Sequence, residues 1–248
     1  MNIYIYDGTP DGFFTVCLRL MMEETEFDIQ AAGREEAQEG LFDRREEINT
    51  DHEAAESMKK LLESSATREG LNMAAWALLS EIKGVEKDIL DYIKLAVREG
   101  ARVNSNLADD RVMRVYRAAK KTMGEAHRLK GFLRFAEVKP GKFYAKVEPE
   151  HNILALLARH FSLRLSSQDW IIHDAIRGIS AFYSSGRIYY KKTADFEFGN
   201  KEGKTVDFEL MWRTYFNVMA IRERKNTALQ ARLVPKKYRK NMAEFSAG

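Results

Sequence analysis

The sequence predicts an α+β protein: an antiparallel-leaning sheet of about five strands packed with helices, plus a mainly helical N-terminal half. Three observations carry that prediction. Between His52 and about Lys121, apolar residues recur at helical spacing, broken at Gly84 and Gly100. After Gly131 the period changes to two, the spacing of a half-buried strand. Turn-forming clusters then divide the chain, at Lys139-Pro140-Gly141, at Gly178 and at Ser184-Ser185-Gly186.

The elements follow in order. Residues 2–6 alternate and are rich in Ile and Tyr, and Asp7-Gly8 turns the chain after them, so a short strand feeds a helix. Phe13, Phe14, Cys17, Leu18 and Met21 then fall at helical spacing, a buried stripe. Residues 23–51 are polar, acidic and interrupted by Gly33 and Gly40, which predicts an irregular excursion. Three or four helices follow, with a break at Ser64–Thr67. Trp76, Leu78, Leu79 and Ile82, then Ile89, Leu90, Ile93 and Val97, mark their core faces. Residues 132–138 and 142–147 form a predicted hairpin. Glu148-Pro149-Glu150 leads into a helix over 151–161, since acidic residues and Pro suit a helix N-terminus. Residues 170–174, 179–183 and 187–190 are three more strands, and 206–218 and 224–233 are closing helices. The division predicted is 1–126 and 127–248, or one compact domain.

Composition bounds the function. At 248 residues the chain is long enough for a real core. Its one cysteine, Cys17, allows no intrachain disulfide, which fits a reducing cytoplasm. Neither a signal peptide nor an apolar run of the ~20 residues that span a bilayer is seen, so a soluble cytoplasmic protein is expected. The net charge of +3 hides an asymmetry. Residues 21–69 hold 15 acidic against 6 basic side chains, whereas 221–240 hold 8 basic against 1 acidic. Segregated charge speaks to partners more than the total does.

Two basic clusters are candidate nucleic-acid contacts, because Lys and Arg neutralise phosphates and release counterions. One is the tail, with Arg222, Arg224, Lys225, Arg232, Lys236, Lys237 and Arg239. On a single helix these do not all share a face; an anion-binding surface is the reading preferred, with a solvated terminal helix as the alternative. The other comprises Arg111, Arg114, Arg117, Lys121, Arg128 and Lys130. Arg111, Arg114, Arg117 and Lys121 are spaced to line one helix face, and Glu125 is the lone acidic residue in that run. Strand aromatics offer stacking platforms for bases, Tyr189 and Tyr190 among them, although most of the aromatics belong to the core.

Acid–base chemistry has weak candidates in Asp7, His151, His173 and Asp174. His173 and Asp174 are adjacent in a predicted strand, where neighbours point to opposite faces. Asp7 after a strand suits a helix-capping role. No His/Cys spacing matches a metal site and no glycine-rich cofactor fingerprint is present, so no metal and no cofactor are expected.

The ordered segments YDGT, GFLRF, YAKVEPEHNILALLARHF, IIHDAIRG, WRTYF and RKNTALQARLVPKKY carry a resemblance. The chain resembles a bacterial family of DNA-metabolism proteins that is otherwise a domain of unknown function. The resemblance covers most of the chain and is weakest across 23–69. It implies a role in DNA repair or modification beside a radical SAM protein, and some members are fused to a uracil-DNA-glycosylase-like domain. It brings no catalytic residues. The sequence departs from the family where Thr227 follows Asn226 in place of Pro, and where Arg239 follows Tyr238 in place of an aromatic. With one cysteine the chain is not itself the radical SAM enzyme, and its length leaves no room for a glycosylase domain. The expectation is a DNA-binding accessory protein that presents nucleic acid to a separate catalytic partner. The alternatives are an enzyme of nucleic-acid metabolism built on the His/Asp candidates, and a protein–protein scaffold.

Overall fold

The computed structural model describes residues 1–32, 43–192 and Tyr238. The predicted helices over 206–218 and 224–233 lie outside the described residues, as do Gly33 and Gly40. The architecture is α+β, with a three-stranded and a five-stranded sheet. The chain divides into two compact units, Met1–Gly124 and Glu125–Gly248.

In the first unit β1 (Asn2–Tyr6) is the central strand. It is flanked in parallel by β2 (Phe27–Ala31) and β3 (Arg44–Glu47). Parallel neighbours need a crossover, and α1 (Pro10–Arg19) supplies it between β1 and β2. The helix begins where the Thr9 hydroxyl accepts from the Gly12 N–H at 3.0 Å, with Pro10 in the first turn. Phe13, Phe14 and Cys17 are buried as expected, with Leu18 and Met21 packed at the edge of the same core.

Residues 23–51, expected to be irregular, contain two strands. β2 does alternate: Phe27, Ile29 and Ala31 are buried while Asp28 and Gln30 are less so. The acidic residues around it obscured that pattern. β3 reads Arg-Arg-Glu-Glu and is exposed at all four positions. No side-chain alternation announces it, and only its main-chain pairing with β1 makes it a strand.

The break expected at Ser64–Thr67 is a kink within α2 (His52–Leu78), where Thr67 has φ 64° and ψ 174°. The Asn104 amide caps the kink, donating to the Ala66 carbonyl at 2.6 Å, and accepts from the Tyr92 hydroxyl at 2.6 Å. α3 (Val85–Glu99) is bounded by Gly84 at φ 80° and Gly100 at φ 73°, conformations that favour glycine. A 3₁₀ turn (Gly100–Ser105) leads to α4 (Asp110–Phe132). Leu78, Ile89, Leu90 and Ile93 are buried as predicted. Ile82 and Val97 are exposed instead: Ile82 lies beyond the end of α2 and Val97 in the last turn of α3.

In the second unit the sheet order is β4 (Ala136–Lys139), β5 (Lys142–Val147), β6 (Asp169–Asp174), β7 (Ile179–Ser184), β8 (Arg187–Lys192). All pairs are antiparallel except β5 with β6, whose crossover carries α5 (Leu154–Arg164). The five antiparallel-leaning strands predicted are therefore present. α5 and the end of α4 share a core with one face of this sheet, through Leu129, Leu157, Phe161, Ile172 and Ala181. Trp170 stacks on Tyr183 with ring centroids 5.0 Å apart.

Two boundaries differ from the prediction. The first strand of the hairpin starts at Ala136, not at 132, because α4 continues through Phe132. α5 starts at Leu154, not at His151. Among the described residues no helix is long and apolar enough to cross a membrane.

Candidate functional site

In the first unit Asp7 ends β1 and is fully engaged in shaping the turn into α1. Its carboxylate accepts from the Thr9 N–H at 2.9 Å, the Thr9 hydroxyl at 2.7 Å and the Thr50 hydroxyl at 2.8 Å. Burial pushes its pKa up, but the hydrogen bonds from Thr9 and Thr50 outweigh that and hold it below the usual value. Thr9, not Asp7, is the N-cap; Asp7 supports the cap.

In the second unit a polar network is built into the core. Glu125, on the buried side of α4, is 1% exposed. Its carboxylate accepts from the main-chain N–H of Glu150 at 3.0 Å and of His151 at 2.8 Å, and from the Tyr238 hydroxyl. Those two N–H groups lie where the sequence invites a helix to begin. Tied to Glu125, the segment stays irregular and α5 begins three residues later.

Arg177 grips the same segment through its carbonyls. Its guanidinium donates to Pro149 O at 3.2 Å and to Glu150 O at 3.0 Å. Asp174, fully buried, aims Arg177 through a 3.0 Å ion pair and also accepts from the N–H of Ile176 and of Arg177. Burial pushes the Asp174 carboxyl above its usual value, and the Arg177 charge opposes the shift. Segment 149–151 is thus clamped by its N–H groups to α4 and by its carbonyls to the turn after β6.

His173, 2% exposed, shares a hydrogen bond of 2.8 Å between its Nδ1 and the Ser180 hydroxyl, and Tyr144 stacks on its ring at 6.4 Å. His173 and Asp174 make different contacts, as strand alternation requires. His151 is buried and joins the network through its main chain. The second unit therefore buries His151, His173 and Asp174, each with its own structural partner. Asp7 belongs to the first unit. The cleft beside Tyr238, lined by Leu129, Phe132, Leu133, Lys146 and Glu148, encloses about 280 Å³ including its open mouth. Among the described residues no group of three or more His, Cys, Asp or Glu could hold a metal ion.

The basic residues of α4 separate into two sets. Arg111 pairs with Asp109 at 2.5 Å and Arg114 with Asp88 at 2.6 Å. Arg117, Lys121 and Arg128 are exposed and Lys130 is half-exposed. Arg117, Lys121 and Arg128 follow one another by four and seven residues, so they lie along one side of the helix. Arg222, Arg224, Lys225, Arg232, Lys236, Lys237 and Arg239 lie outside the described residues.

Sequence reasoning missed Glu125, Arg177 and Tyr238 as members of one network, and Ser180 as the partner of His173. Glu125 had a signal. It falls at helical spacing with Val115, Ala118, Thr122 and Leu129, all buried, so its carboxylate had to find donors inside. Tyr238 had none, because its partner is 113 residues away.

No curated protein matches the chain. The family model described as Domain of unknown function (DUF4130) matches residues 83–244, which takes in α3, α4 and nearly all of the second unit. Two thirds of the sequence is thereby accounted for by one model, and the chain belongs to that DUF4130 family.

Proposed function

We propose that this protein is a DNA-binding accessory module of DNA repair or modification, working in the cytoplasm beside a separate catalytic partner. One observation carries the DNA-binding part. Glu125, the lone acidic residue from Arg111 to Arg134, is turned inward onto main-chain N–H groups. The exposed side of α4 from Arg117 to Lys130 then keeps its positive charge undiluted. Arg117, Lys121 and Arg128 span about 16 Å along the axis at 1.5 Å per residue, enough to meet several phosphates. A radical SAM protein as the partner, and a glycosylase-like protein beside it, follow from the sequence resemblance alone.

The enzyme alternative gains nothing from the geometry, because Asp7 and Asp174 are occupied in shaping turns and the buried His173 pairs with Ser180. The scaffold alternative predicts a stable protein complex and no DNA affinity.

Binding of labelled DNA across a salt series tests the proposal. Each phosphate neutralised contributes ~0.9 to the log–log salt slope, so the triple variant R117E/K121E/R128E should bind more weakly with a slope flatter by up to about 2.7. Equal affinity and slope in the two proteins would remove α4 from the interface. No binding by the unaltered protein at low salt would remove the DNA reading.

A further inference from the structure

Strand β8 reads Arg187-Ile188-Tyr189-Tyr190-Lys191-Lys192 and ends the five-stranded sheet, pairing with β7 alone among the described residues. Its register sorts the side chains. Ile188 pairs with Tyr183 and Tyr190 with Ala181, both members of the core under α5. Arg187, Tyr189 and Lys191 pair with Ser184, Phe182 and Ser180, and so lie on the opposite face. All three are exposed. They form a cation–ring–cation row with steps of about 6.8 Å, twice the rise of an antiparallel strand.

Tyr189 and Tyr190 are both 49% exposed, yet their settings differ. Tyr190 belongs to the α5 side, and burial pushes its phenol above the usual value. Tyr189 stands between two cations on the other face. Lysines on an edge strand are commonly a guard against strand-to-strand aggregation. A half-exposed tyrosine between Arg187 and Lys191 works against that purpose, which calls for another reason to keep it.

We infer that the Arg187–Tyr189–Lys191 face of β8 binds single-stranded nucleic acid, with Tyr189 stacking on an unpaired base and the two cations meeting the flanking phosphates. Only an unpaired base presents a free π-face, since duplex bases are already stacked on each other. The inference rests on the DNA-binding reading and adds the form of DNA that this face takes. It also ranks two adjacent tyrosines that the sequence leaves equal.

The test compares three labelled probes: an oligothymidine, an abasic single strand of equal length, and a duplex. Loss of one stacked base corresponds to roughly 5- to 150-fold in affinity. Tyr189→Ala should weaken oligothymidine binding by that factor, with little change on the abasic strand or the duplex. Tyr189→Phe keeps the ring and should retain affinity, and Tyr190→Ala should change it far less than Tyr189→Ala. If Tyr189→Ala does not fold, Tyr189→Leu, which keeps apolar bulk without a π-face, carries the same comparison. Unaltered oligothymidine binding in the folded Tyr189 variant, with wild-type binding intact, overturns the β8 assignment and leaves α4 untouched. Equal loss on the abasic strand reduces the role to charge and overturns stacking. No binding of any probe by the wild type overturns both readings together.

Discussion

The carboxylate of Glu125 accepts the main-chain N–H of His151 at 2.8 Å, across 26 residues of sequence. That bond joins the inward side of α4 to the approach of α5 and fixes where α5 begins. It also leaves the outward side of α4 without a negative charge between Arg117 and Lys130.

Glu125→Gln should destabilise the second unit by about 2–4 kcal/mol, because a hydrogen bond to a charged group contributes roughly 1.5–3 and the amide offers only one oxygen. Glu125→Ala should cost more, about 3–5 kcal/mol, by leaving buried N–H groups and the Tyr238 hydroxyl without their acceptor. Urea unfolding midpoints measure both. A change below about 0.5 kcal/mol, the level of a neutral surface substitution, would deny Glu125 its structural role.

Two helical glycines should respond oppositely to alanine. At Gly70 an added Cβ would sit 2.5 Å from both the Ala66 Cβ and the Tyr92 hydroxyl oxygen. Gly70→Ala should therefore lower stability by about 1–3 kcal/mol despite the better helix propensity. At Gly131 a Cβ meets nothing within 4 Å. Gly131→Ala should raise stability by about 0.5–1 kcal/mol. Thermal melts of the pair check the signs, and a stabilised Gly70→Ala would contradict the packing between α2 and α3.

Acid should act on two aspartates in opposite senses. The Arg111 hydrogen bond holds Asp109 at about 2, below its ordinary value of 3.8. Its stabilisation is complete above the ordinary value and is lost as pH falls from there toward about 2. Asp174 is shifted up by burial. Its folded form holds the proton more tightly than the unfolded chain, so its contribution grows more favourable as pH falls through its folded pKa toward 3.8. Relative to each protein's own stability at neutral pH, Asp109→Asn should lose less on acidification and Asp174→Asn should lose more. Urea midpoints at stepped pH decide it; identical acid profiles would refute both assignments.

Neighbouring arginines on α4 should differ in DNA binding. Arg114 is held by Asp88 at 2.6 Å, whereas Arg117 is exposed. Arg117→Ala should flatten the salt slope by about 0.9, the contribution of one phosphate, and Arg114→Ala by much less. A larger effect at Arg114 would place the contact elsewhere on the helix.

The sequence by itself determined the α+β class, the strands β1 and β5 to β8, an interruption of the helix within 64–67 and the glycine limits of α3. Each of these is written in local periodicity or in a residue whose backbone conformation is restricted. Tertiary structure decided the rest. β3 has no buried side chain and exists only because β1 offers it main-chain partners. The start of α5 depends on Glu125, a residue 26 positions before His151. Asp174 and Arg177 lie three residues apart in the sequence, but what they hold, the carbonyls of Pro149 and Glu150, is set by the sheet. Which of Tyr189 and Tyr190 lies on the core side follows from pairing with Ala181, a register the strand does not encode alone. Local preference acts over a few residues. A buried carboxylate or a strand edge takes its partner from wherever the fold brings a donor, and that distance is invisible to periodicity.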